Sequence, residues 1–271
     1  MGEDARSFVR WIGTACAFGV AMCVVGLAFR HVEVPGFANY ASSIVGVTAA
    51  TVLTCAVAPK LPRAALVYVL VAVAALEIVA TYHPSASSMW AAFVVMVSLL
   101  LGGSTIGTVI GRAIQHAGQL FVVGVVFTLA DTFSVFHPAG PSAVIVSAGP
   151  SLISFLALPW PVLGSNEFAP VLGVGDVVGA ALFVGASRAH ELPVRRTVVA
   201  LAVGLVATML IVWWTELPIP ALPLMSLAVL SVQPAARRLR KEDRKPALIG
   251  VLVLAVLYAA AWAFSSDGST P

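Results

Sequence analysis

Apolar residues run in blocks of roughly twenty along most of this chain, separated by short gaps that hold proline, glycine or charge. A hydrocarbon core needs about 20 apolar residues per helix. The pattern therefore predicts nine spans, at residues 11–29, 41–58, 64–82, 89–111, 117–137, 168–187, 196–215, 218–234 and 246–264. Turn chemistry marks the gaps: Val34-Pro35-Gly36, Pro59-Lys60-Leu61-Pro62-Arg63, His83-Pro84-Ser85, His137-Pro138-Ala139-Gly140-Pro141 and Glu216-Leu217-Pro218. Residues 143–163 are apolar enough for a tenth span. Gly149-Pro150, Pro159 and Pro161 argue against a continuous helix there. That stretch is expected to be an outer-side loop dipping into the interface, with short helical or extended pieces. The first block is expected to be a retained helix, because no small-x-small cleavage site follows it.

Composition turns the pattern into a class. The chain has 271 residues, 60% of them hydrophobic and only 10% charged, against about 25% charged in a soluble protein. The expectation is an all-α polytopic membrane protein with no separate soluble domain and no nucleic-acid partner. Cys16, Cys23 and Cys55 lie within apolar runs, without metal-like spacing. Neither a metal nor a cofactor is expected. With the N-terminus inside, Arg6, Arg10, Lys60, Arg63, Arg112, Arg188, Arg195, Arg196 and the basic run 237–245 all fall on the inner side, and Arg30 alone on the outer side. Basic loops stay cytoplasmic, so the expected topology has a cytoplasmic N-terminus and an exported C-terminus. A tenth span at 143–163 would place the later basic segments outside. The run 237–245 reads as a solvated cytoplasmic loop touching anionic lipid.

Against this background Asp131 and Asp176 stand out, because each lies within an apolar stretch. A carboxylate in hydrocarbon costs roughly 2.5–3.5 kcal/mol on insertion scales unless it is neutral, paired or wetted. On the predicted helices the two fall at matched depth, about 9 and 12 Å from the outer end by the helical rise, on antiparallel neighbours. If they face each other they share a proton, since two close like charges cannot both ionise readily. Such a pair can deprotonate a water and protonate a leaving amine. The plainer alternative is two unrelated polar residues held by backbone or water. Gly173 and Gly175 precede Asp176 and allow close approach or local unwinding. Gly103, Gly107 and Gly111, spaced by four, read as a helix-packing face. Among other polar residues, Glu77 reads as a relay or a paired structural group. Glu167 and Glu216 read as interfacial charges, Trp213 and Trp214 as interface anchors, and His137 as a surface residue.

Three segments in order carry a family resemblance. Asp131, Gly173-Val174-Gly175-Asp176 and Pro220-Ala221-Leu222 together resemble the presenilin and signal peptide peptidase family of intramembrane aspartyl proteases. The stretch from Asp131 through Val135 and Pro138 to Gly140-Pro141 also resembles the presenilin pattern at the same spacing. The resemblance covers roughly residues 117–235. It implies a presenilin-like protease core and hydrolysis of peptide bonds within substrate transmembrane helices, with Asp131 and Asp176 catalytic. It implies that Gly173, Val174, Gly175, Pro220, Ala221, Leu222 and Pro223 line the substrate. Prolines 218, 220 and 223 also free backbone groups that could pair with an unwound substrate. The expected organisation is a four-helix scaffold at 1–116, a catalytic core at 117–235, and a basic loop with a last helix at 236–271. The expected partners are transmembrane-helix substrates and membrane lipid, with no obligate protein partner, in a plasma membrane of prokaryotic type. Two departures stand in the sequence: Ala130 replaces the tyrosine common in the family, and the core begins one span earlier. A prepilin-peptidase-like enzyme would carry a basic residue soon after the second aspartate and cytoplasm-facing chemistry, and neither is seen. A proton- or cation-coupled transporter predicts inverted repeats with broken helices in both halves.

Overall fold

The structure is a computed structural model that describes residues 3–60, 63–82, 88–138, 140–147, 153 and 156–266. The chain is mostly helical. Helices α1 (Glu3–Phe29), α2 (Gly36–Val57), α3 (Arg63–Tyr82), α4 (Met89–Ala113) and α5 (Gln119–Phe136) come first, then the short α6 (Pro141–Ser147). An antiparallel hairpin follows, β1 (Ala157–Pro161) and β2 (Phe168–Gly173), and leads directly into α7 (Val174–Ala189). Helices α8 (Val194–Thr215) and α9 (Ala221–Val232), a 3-10 turn (Pro234–Arg237) and α10 (Lys241–Ser266) complete the order.

Six helical segments among the described residues are long and apolar enough to cross a membrane; they begin with α1, α2, α4, α5, α8 and α10. This is a membrane protein. The apolar stretches in α3 and α9 are helical but shorter. The exposed surface fits a lipid solvent. On α3, Val67, Tyr68, Val71, Ile78 and Val79 are exposed, and on α10 so are Leu248, Ile249, Leu252, Val253, Val256 and Leu257. Apolar faces this continuous do not suit water.

One expectation is corrected here. A helix was expected from residue 168, but 168–173 form a strand and the helix begins at Val174. Pro170 has no N–H for a helical bond, and it pairs with Pro159 across the hairpin. The counting of helical rise from Phe168 to Asp176 therefore fails, because Asp176 lies in the first turn of α7. The expected loop with short helical and extended pieces is seen as α6 and β1, while its middle, 148–152 with 154 and 155, lies outside the described residues.

The chain divides into two compact units that interleave in sequence: residues 1–113 with 150–185, and 114–149 with 186–271. In the first unit α1 packs on α2 and α4, α3 packs on α4, and β1 lies against α1, α2 and α4. Trp160 of β1 is buried, its indole N–H donating to Ser42 Oγ at 3.2 Å, and its ring occupies the space a side chain at Gly46 would need. Asn39 Oδ1 accepts the Leu163 N–H at 3.1 Å, which fixes the hairpin loop. Helix α7 is buried on every face from Ala180 to Val184, as expected of a helix that is apolar all round. It approaches α4 closely. A Cβ at Gly103 would lie 2.9 Å from Val177 Cβ, and one at Gly107 would overlap the Val178 carbonyl oxygen. These two glycines form the packing face their spacing predicts.

In the second unit α5 packs on α9 and α10, and α9 on α8. Both ends of α5 are tied to α10. His116, just before α5, lies 2.6 Å from Asp243 Oδ2. At the far end the Phe133 ring stacks on Tyr258 with centroids 4.5 Å apart. The two helices therefore run parallel, while α9 runs antiparallel to α5.

Gly107→Ala is expected to lower the thermal midpoint in detergent, by an amount equivalent to about 1–3 kcal/mol of overpacking. Gly250→Ala on the open face of α10, where nothing lies near the added Cβ, serves as the control. It should leave stability unchanged or raise it by up to about 1 kcal/mol.

Candidate active site

Helix α9 begins at Ala221 because Pro218 and Pro220 hold the chain extended before it. Pro220 has φ −63° and ψ 136°, and no side chain caps the helix. Pro223 contributes no N–H to the first turn. Of the first-turn donors, the Leu222 N–H is taken up from elsewhere in the chain: it donates to Asp131 Oδ2 at 3.0 Å, across 91 residues. The aspartate thus does in trans what a local capping side chain does in most helices. The positive end of the α9 dipole also favours negative charge there. Asp131 is half-buried, and its other oxygen has no hydrogen-bond partner among the described residues.

The surrounding packing fixes this contact. Gly124, two turns before Asp131 on α5, faces α9; a Cβ there would lie 3.3 Å from Ser226 Cβ and 3.2 Å from Leu230 Cδ1. On the other side of α9, Gly204 of α8 meets the Met225 backbone, where a Cβ would lie 2.8 Å from its Cα. Pro220 and Ala221 are buried, and Leu222 and Pro223 half-buried. The structure therefore brings Asp131 and the Pro220–Pro223 segment together.

Asp176 occupies a different kind of junction. Strand β2 ends at Gly173 and α7 begins at Val174, so the half-buried carboxylate sits where extended backbone becomes helix. Its Oδ2 lies toward Gly173, 3.6 Å from where a Cβ would stand. The Cys55 thiol donates to the Val177 carbonyl at 3.7 Å and ties this turn to α2. Val174 packs against α4 at Gly103. Gly173 and Gly175 differ from the packing glycines: both are exposed, and no atom lies within 4 Å of a Cβ added at Gly175. Neither has a positive φ. Neither packing nor backbone geometry requires glycine at 175. Gly173–Asp176 belong to the first unit, and Asp131 with Pro220–Pro223 to the second.

Other candidates resolve differently. The His137 side chain is 2% exposed. Its ring stacks on Phe133 at 4.4 Å and meets Trp262 edge-on at 5.3 Å, and Nε2 lies 3.3 Å from the Ala261 carbonyl oxygen. It joins the ends of α5 and α10. Glu77 is 4% exposed, and neither carboxyl oxygen has a hydrogen-bond partner among the described residues. Glu216 ends α8 in the left-handed region with φ 57°, and its side chain is exposed. Trp214 is largely exposed on the same turn, as an interface anchor would be. Among the described residues no cluster of three or more His, Cys, Asp or Glu could hold a metal. The sequence marks the prolines that free backbone donors before α9, but not that Asp131 accepts one of them.

Comparison with known protein families, with characterised proteins and with solved structures finds no match to this chain.

Leu222→Pro removes the donor at a first-turn position where proline is tolerated. Relative to Leu222→Ala, it is expected to cost about 1.5–3 kcal/mol, the range for a hydrogen bond to a charged group. In an Asp131→Ala background that difference should vanish. A double-mutant cycle on thermal midpoints measures the coupling; equal penalties in both backgrounds would show that the contact contributes nothing.

Proposed function

We propose that this protein is an intramembrane aspartyl protease of the presenilin and signal peptide peptidase type. The observation that carries the reading is the hydrogen bond from the Leu222 N–H to Asp131 Oδ2. Two of the three resembling segments, far apart in sequence, meet through a polar contact at the start of α9. In this reading Asp131 and Asp176 act as a pair holding one proton. The ionised member takes a proton from a water, and that water attacks the scissile carbonyl. The protonated member then gives its proton to the leaving amine. Asn at either position keeps an acceptor oxygen but cannot exchange protons in this way.

A transmembrane substrate must unwind before its peptide bond can be attacked, and its freed backbone then needs partners. Strand β2 runs directly into the turn that carries Asp176, and a strand edge can accept an added strand. The open space at Gly175 supports the same reading. Glycine costs roughly 1 kcal/mol relative to alanine in a helix, and nothing in the packing repays that cost. Room for a substrate backbone does. The finer topology belongs to this proposal: nine spans, a cytoplasmic N-terminus and an exported C-terminus. The parallel α5 and α10 and the antiparallel α9 agree with it. Proton- or cation-coupled transport is the second reading, favoured by the buried carboxyl of Glu77, which has no hydrogen-bond partner among the described residues. Against it, each of α1 to α4 runs unbroken over its described length, whereas that architecture calls for broken helices in both halves.

Asp131→Asn and Asp176→Asn are each expected to abolish cleavage of single-span substrates by the purified protein while leaving its thermal midpoint close to that of the parent. Gly175→Ala should reduce cleavage without loss of stability. Normal turnover by either Asn variant removes the assignment.

A second expectation concerns direction. With α5 running from inside to outside, cleavage should favour substrate helices whose N-terminus is cytoplasmic, including remnant signal peptides, and should fall toward the outer half. Reporters that present one transmembrane sequence in both orientations test this. Preferential cutting of the N-out reporter would refute it.

A further inference from the structure

The second unit carries a cavity of about 610 Å³ at the end opposite the Asp131–Leu222 contact. It opens where α5 and α8 begin and where α9 and the 3-10 turn end. Arg196, Arg238, Arg240 and His116 line it, and no carboxylate does. Asp243, outside the lining, is engaged with His116 at 2.6 Å, and Glu191, next to the lining Leu192, is exposed. Among the described residues none of the three guanidinium groups has an ion pair.

Two features make this more than a basic surface. The first is a conflict within α8. Its first turn carries Arg195 and Arg196 and no acidic residue, and no side chain caps it. A helix N-terminus is the positive end of the dipole and favours anions, so arginine there is unfavourable unless negative charge is supplied. The second is that the floor and walls are held in place. Gln233 is 1% exposed; its amide donates to the Pro193 carbonyl at 3.1 Å and to Thr197 Oγ1 at 2.9 Å. Thr197 Oγ1 in turn lies 2.8 Å from Ser187 Oγ. Gly118 allows the backbone at Arg238 and Leu239 to press against the start of α5; a Cβ there would lie 3.1 Å from Leu239 Cα. Arginines from two segments thus converge, on a fixed frame, over an uncapped helix N-terminus.

The geometry points to a binding site for a phosphate group. Guanidinium groups hold phosphate oxygens through paired N–H donors, and the Val194 and Arg195 amides, which precede the first bonded amide of α8 at Arg196, would add to them. The phosphate can come from the headgroup of an anionic phospholipid, since the cavity lies at the ends of apolar helices, or from a soluble phosphate. The site is independent of the aspartates and needs no proteolysis to be seen.

The test uses the full chain in uncharged detergent titrated with inorganic phosphate, and the same protein in bilayer discs of phosphatidylcholine with or without phosphatidylglycerol. Thermal midpoints and native mass spectrometry provide the readouts. Bound anion is expected to raise the midpoint, and Arg196→Gln combined with Arg238→Gln to weaken binding about tenfold or more, as loss of charged hydrogen bonds implies. Arg240→Gln provides a single variant should the double variant fold poorly. A response to phosphatidylglycerol alone assigns a lipid headgroup; a response to inorganic phosphate as well assigns the phosphate group itself. No response from the parent overturns the proposal. So does an equal loss in the Arg244→Gln and Lys245→Gln variant, whose side chains lie outside the cavity, because diffuse charge would then explain the binding.

Discussion

A backbone N–H or C=O without a partner is costly in hydrocarbon, several kcal/mol for each group. Most of this chain meets that constraint by being helical. Among the described residues, two of the non-helical segments lie beside the candidate chemistry. Before α7, six residues are extended, and they are satisfied by pairing with β1, which is itself packed on α1, α2 and α4. Before α9, Pro218 and Pro220 interrupt the helix, and the Leu222 donor is satisfied by a carboxylate on α5. Each break in helical backbone ends within a few residues of a segment that resembles the protease family.

The two breaks are held differently, and the difference bears on function. Asp131 is fixed by what it accepts, with Gly124 and Gly204 letting α5 and α8 close on the helix that donates to it. Asp176 is fixed by what carries it, a helix buried on all sides and joined to α4 at Gly103 and Gly107. Around Gly175 the packing relaxes. A rigid frame with local room beside a carboxylate is the arrangement expected where another backbone must enter. It is also the arrangement least explained by stability alone.

The polar ends of the second unit follow the same logic. His137 closes one end in a ring cluster with Phe133, Tyr258 and Trp262. At the other end His116 and Asp243 join α5 to α10, and Gln233 ties α9 to α8. These contacts hold α5, α8, α9 and α10 in register, so that basic residues gather at one end and the Asp131 contact lies toward the other. In the sequence the basic residues cluster in a few segments; in the folded unit Arg196, Arg238 and Arg240 line one cavity.

The apolar blocks by themselves determined where helices form, because burial in lipid leaves an apolar stretch of twenty residues little other choice. They also singled out Asp131 and Asp176, since charge is so rare among them. The spacing of Gly103 and Gly107 was enough to mark a close helix contact. Tertiary structure decided the rest. Residues 168–173 are largely apolar, and although Pro170 disfavours a helix there, it is the pairing with 157–161 that makes them a strand. Local pattern could not distinguish Gly107, crowded by α7, from Gly175, which faces open space, because a glycine's neighbours come from distant parts of the chain. Nor could it show that Asp131 caps α9 or that His137 is buried, since both depend on partners about a hundred residues away. Hydrophobic periodicity reports what each segment prefers; which donor meets which acceptor is settled only when the segments pack.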